Sequence, residues 1–192
     1  MKKSIKRIVQ GITFILIIGG FIYIGTRDFS KKVVIDNEKF DQEYTNVSKD
    51  NVFVYATSQE VYGRLKNGNA VIFMGFSKNV WSGYYADILN EAAKEVGLKE
   101  ILYYDFKEDR DNKNGTYQSI VLRLNSYVWT LDDGVKNIYA PTMVIVKNGE
   151  IIAFDNETSL NTGNINPHDY WTSIRVDFKK NDIKTKLLEY LK

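Results

Sequence analysis

Residues 71–89 read VIFMGFSKNVWSGYYADIL, and the fold turns on how this stretch changes period. Val71–Phe76 is an unbroken apolar run, the pattern of a strand covered on both faces. From Tyr85 the apolar positions recur at helical spacing through Ile88, Leu89, Ala92 and Val96, and Gly97 closes the helix. A buried strand that passes within a few residues into an amphipathic helix belongs to an α/β sheet flanked by helices.

The neighbouring sequence extends the pattern in both directions. Upstream, Val52–Ala56 reads as a strand, and Thr57 or Ser58 can cap a helix with apolar positions Val61, Tyr62 and Leu65, stopped by Asn67-Gly68. Downstream, Ile101–Phe106 is the next strand, followed by the polar segment Lys107–Gly115 and a helical stripe at Tyr117, Ile120, Val121 and Leu124. Trp129–Tyr139 reads as an irregular loop. Thr142–Val146 and Ile151–Phe154 flank Asn148-Gly149, which predicts a hairpin because both central positions of a type I′ turn need positive φ. Asn156–Trp171 is loop-like, and Ile183, Leu187, Leu188 and Leu191 mark a last helix. The order predicts a sheet that is parallel first and antiparallel at its end.

The chain has 192 residues and a formal charge of +2, divided unevenly. Residues 1–32 hold seven basic groups against Asp28 alone, and the remainder carries nineteen basic against twenty-three acidic groups. Within the basic leader, Ile8–Gly25 contains no charge and spans roughly 27 Å as a helix, close to a bilayer core. The leader also lacks the alanine-rich end of a cleaved signal peptide. Residues 1–27 are therefore read as a cytoplasmic basic tip and transmembrane anchor, with the C-terminal domain extracellular by the positive-inside rule. Residues 28–50 read as a juxtamembrane linker with room for one short strand or helix, and 51–192 as the domain. The acidic balance of that domain argues against a nucleic-acid partner. A calcium loop at Lys107–Gly115 fails because Arg110 and Val121 would fall at ligand positions. No phosphate-binding or dinucleotide glycine motif is present, so no metal and no cofactor is expected.

Two segments of this α/β pattern resemble the thioredoxin-like superfamily. Gly75-Phe76-Ser77-Lys78-Asn79-Val80-Trp81-Ser82 is similar to the segment in which a strand and a Cys-Pro-Trp-Cys motif lead into the active-site helix. Asn79 and Ser82 then hold the two cysteine positions, Val80 holds the proline, and Trp81 is kept; Asp87 stands where a helix proline is common. Tyr139-Ala140-Pro141-Thr142 resembles the cis-proline loop that faces the active-site turn. The resemblance covers roughly residues 51–155 and the final helix, and is nearest to membrane-anchored members from Gram-positive bacteria, including those labelled bacteriocin transport accessory proteins. It implies a thioredoxin-like fold, with a central mixed sheet flanked by helices, and a cis bond before Pro141.

The chain has no cysteine, so thiol–disulfide exchange is excluded at Asn79 and Ser82 and everywhere else. The expected role is therefore binding rather than catalysis. Asn79, Val80, Trp81, Ser82, Ala140 and Pro141 form the candidate groove for a protein or extended peptide at the outer face of the membrane, with backbone pairing available beside Pro141. Ser82 is expected to cap the helix. Two alternatives stand beside this reading. One is a thiol-independent enzyme using the Asn79–Ser82 turn, for which Ser82, His168 and Asp169 are the only triad on offer. The other is a structural spacer in a membrane assembly.

Overall fold

Alternation along the central strands divides the core into two layers and positions every helix. The computed structural model describes residues 37–131, 134–160 and 165–192. The elements run α1 (Asn37–Glu43), β1 (Phe53–Tyr55), α2 (Ser58–Asn67), β2 (Ala70–Gly75), α3 (Val80–Glu95), β3 (Ile101–Asp105), α4 (Lys107–Asp111), α5 (Gly115–Arg123), β4 (Thr142–Lys147), β5 (Glu150–Asp155), α6 (Pro167–Tyr170) and α7 (Ser173–Leu191). Val71 and Phe73 of β2 face one layer, with residues of α1, α3 and α7. Ala70, Ile72 and Met74 face the other, with α2 and α5. Every residue of β2 is buried, as the unbroken apolar run predicts.

The five strands lie in the order β1-β3-β2-β4-β5. β3 pairs in parallel with both β1 and β2, whereas β4 is antiparallel to β2 and to β5. The change from parallel to antiparallel thus falls where the sequence order puts it. The hairpin turns on Asn148 and Gly149, at φ 53° and 77°. Gly149 is required for space as well as for φ, because a Cβ there would lie 2.4 Å from the Lys66 carbonyl oxygen. Thr57 is the cap of α2, in a reciprocal capping box with Glu60.

The domain begins earlier than its strands suggest. The chain divides after Val34, and the unit from Ile35 to Lys192 is compact. Phe40 of α1 is fully buried and stacks on Phe53 at 4.1 Å between ring centroids. Tyr44 and Val47 are buried with it, and the Tyr44 hydroxyl donates to that of Tyr103 at 3.0 Å. From Asn37 onward, the stretch read as linker is therefore part of the core. The polar segment Lys107–Gly115 holds the short helix α4, and the single turn α6 lies within Asn156–Trp171, which reads as loop-like from sequence. The expected span Ile8–Gly25 lies outside the described residues, and among those no helix is long and apolar enough to cross a membrane.

Candidate functional site

β2 runs out at Gly75, and the chain must turn before α3 can pack back onto the sheet. That approach is close. A Cβ on Gly75 would meet the Ser82 Oγ at 3.0 Å, so glycine at this strand end admits the first turn of the helix. Asn79 is the N-cap: its Oδ1 accepts the Ser82 N–H at 2.9 Å. The expectation that Ser82 caps the helix is therefore corrected: Asn79 is the cap, and Ser82 is the third residue inside the helix. Its side chain is fully buried against the strand end, and its hydroxyl has no hydrogen-bond partner.

The second segment arrives by strand pairing. β2 and β4 are antiparallel with Met74 opposite Thr142, so the end of β2 and the residues before β4 lie at one end of the sheet. The Asn79 turn and the Ala140–Pro141 loop are thereby neighbours, although about sixty positions apart in sequence. The Ala140–Pro141 bond is cis. Ala140 and Pro141 are buried, so this side of the site offers backbone and shape rather than free side chains. Val80 is the opposite, 61% exposed at the first helical position. Trp81 is half-buried, its ring edge-on to Tyr170 of α6 at 5.2 Å. The candidate residues thus divide into an exposed or half-buried apolar pair (Val80, Trp81) and a buried set (Ser82, Ala140, Pro141).

No family model, curated protein or solved structure matches this chain.

The geometry gives Ser82 no base. Its oxygen is enclosed and unbonded, and His168 is a surface side chain whose one ionic neighbour among the described residues is Asp169 at 3.5 Å. His168 and Asp169 adjoin each other, but the buried Ser82 hydroxyl makes no hydrogen bond to either, so no triad is formed. Asp87 is half-buried, and burial followed by the nearby Glu91 raises its carboxyl above the usual range.

A network that sequence reasoning missed lies beside this end of the sheet. Lys179 of α7 is 6% exposed and donates to Asp155 at the end of β5 at 2.9 Å, and also to Glu157. Tyr85 of α3 donates to the same Asp155 oxygen at 3.0 Å, and Tyr170 donates to Glu157 at 2.8 Å. Burial alone would raise Asp155, but the Lys179 ammonium and its hydrogen bonds outweigh burial and hold the carboxyl below its usual value. Glu157 is lowered in the same way, with burial opposed by Lys179 and Tyr170. Lys179 is raised, since its two carboxylate partners overcome the cost of burial. Burial, followed by Asp155, lifts the Tyr85 phenol well above its ordinary value, so it remains a donor. These five side chains, Lys179, Asp155, Glu157, Tyr85 and Tyr170, tie β5, α3, α6 and α7 together. A lysine and two acids spread over 24 positions, each on a different local pattern, leave no signal in sequence.

Proposed function

We propose that the chain is a membrane-tethered, redox-inactive thioredoxin-like domain that holds an extracytoplasmic protein or extended peptide at the Asn79–Ser82 turn and the Pro141 loop. The fold assignment is supported by the parallel-to-antiparallel strand order with helices on both faces, and by the turn that joins β2 to a helix capped at Asn79. The tether is supported by the uncharged run Ile8–Gly25 behind four basic residues.

The observation that carries the binding reading is the pairing of Met74 with Thr142, which supports one continuous surface made from two distant segments. That surface presents Val80 and half of Trp81 to solvent above a floor without ionisable groups. An exposed apolar tip beside backbone suits an extended peptide whose side chain rests on Trp81. Thiol–disulfide exchange with a partner is excluded by composition, and binding is the reading this surface supports best.

The test is retention of partners by the full chain solubilised from the membrane in which it is expressed. Val80→Arg with Trp81→Ala is expected to lose a partner that wild type and a control variant, Leu122→Arg on the opposite helical layer, both keep. Identical retention by all three would overturn the assignment.

A further inference from the structure

Trp81 is the one aromatic side chain among the candidate residues, and its ring partner comes from far along the chain. Tyr170 meets it at 5.2 Å between ring centroids, with the planes 71° apart. This is the edge-to-face arrangement that the ring quadrupoles favour. Tyr170 is itself held from three further directions. Its hydroxyl donates to Glu157 at 2.8 Å, Trp171 stands edge-on to it at 5.0 Å, and the Arg175 guanidinium lies over its ring at 4.3 Å from the centroid. The turn that carries Tyr170 is set in advance. Pro167 occupies its start, the Asn166 Oδ1 accepts the His168 N–H at 3.0 Å, and the Trp171 N–H closes the turn on the Pro167 carbonyl at 2.9 Å. Trp81 stands at the second position of α3, where a helical backbone leaves only its side-chain torsions to be fixed.

We infer that Tyr170 is a positioning residue for the candidate surface: anchored on Glu157 and held under Arg175, it fixes the Trp81 indole in the orientation that a partner meets. The ring contact stands by itself, and its use by a partner rests on the binding reading above. Glu157 joins this pair to the interior, because the same carboxyl group also accepts from Lys179, which donates to Asp155 as well. Burial would raise Glu157, but Lys179 and Tyr170 hold it low, so it is a charged acceptor at neutral pH. Burial, followed by Glu157, raises the Tyr170 phenol, which therefore remains a donor. A chain of contacts thus runs from α7 through Glu157 and Tyr170 to Trp81. A ring fixed before binding need not be ordered by the partner, and loss of that preorganisation is expected to weaken retention roughly two- to tenfold.

The full chain in detergent, labelled with 5-fluorotryptophan, reports the indole directly through three fluorine resonances, from Trp81, Trp129 and Trp171. Trp81→Phe assigns the first. Tyr170→Ala is expected to shift and narrow the Trp81 resonance, while that of Trp129, which takes part in none of these ring contacts, stays in place. Glu157 has a side chain 52% exposed and is the gentler perturbation. Glu157→Ala is expected to move the Trp81 resonance in the same direction by a smaller amount, and Glu157→Gln, which keeps an oxygen acceptor, to return it toward wild type. In the Tyr170→Ala background Glu157→Ala is expected to add nothing, a dependence that general loosening of the fold does not produce. A photo-cross-linking amino acid at Val80 reads the partner, and its adduct yield is expected to fall roughly two- to tenfold in Tyr170→Ala. A Trp81 resonance unmoved by Tyr170→Ala, one that Glu157→Ala moves equally with or without Tyr170, or an adduct yield indifferent to Tyr170→Ala would each overturn the inference. Absence of any adduct from the otherwise wild-type chain would overturn the binding reading instead, with the resonances still deciding whether Tyr170 sets the indole.

Discussion

Replacing Lys179 by Met isolates the electrostatic contribution that fixes α7 against the sheet. Methionine keeps most of the volume of the lysine stem but removes the ammonium from Asp155, whose side chain is 5% exposed. Removing one partner of a buried ion pair costs about 3–5 kcal/mol, because the other charge is left uncompensated. The lower end applies here, since Tyr85 still donates to Asp155 and the Glu157 side chain, 52% exposed, can rehydrate. For a unit of this length about 3 kcal/mol lowers the melting temperature by roughly 6–12 °C. The pH dependence separates this cause from simple packing loss. In the wild type Asp155 and Glu157 are lowered, so their stabilisation is present above the unfolded carboxylate range and is lost as pH falls through the folded values. Lys179 is raised, so its share is present below the unfolded lysine value and is lost as pH rises through the folded one. In the variant the stranded Asp155 is raised by burial, and acid now relieves it. Thermal unfolding of the full chain in detergent, followed by circular dichroism at pH 7 and pH 4, should show a deficit that narrows at the lower pH. A deficit below about 1 kcal/mol at pH 7, or one equal at both pH values, would refute the reasoning.

Asn79→Ala removes the side-chain cap of α3 and is expected to cost about 1 kcal/mol in the same unfolding experiment. Ser82→Ala is expected to change stability by less than about 0.5 kcal/mol or to raise it, because the buried hydroxyl has no partner to lose. Phe40→Ala is expected to cost about 3–5 kcal/mol, the penalty of a core aromatic, although it lies before the first strand.

The element order and the change from parallel to antiparallel were legible because they rest on local period: β2 is apolar throughout, and the hairpin is announced by Asn148-Gly149, whereas which residues of β2 face which layer is not written in an unbroken apolar run. α1 was not legible, beyond the room left for one short strand or helix in the linker, because seven residues among charges carry a single core side chain, Phe40, and Tyr44 and Val47 join the core only after the helix has ended. α7 shows where periodicity stops. Leu187 and Leu188 are equally apolar in sequence, yet one is buried and the other 49% exposed, because only the path of the helix over the sheet decides which face is inward. At the candidate site the residue types and the neighbouring loop were readable, whereas the exchange of roles between Asn79 and Ser82 depends on how closely α3 approaches Gly75. The Lys179 network joins residues that meet only after the sheet and both helices are in place.

Whether the turn and the Pro141 loop form a binding surface is tested most directly by a photo-cross-linking amino acid at Val80, the exposed tip of the groove. In the full chain in its membrane, irradiation is expected to give a discrete protein adduct from position 80, none of the same size from Leu122, and loss of that adduct when Trp81 is also changed to Ala. No adduct at Val80, or an adduct indifferent to Trp81→Ala, would contradict the account.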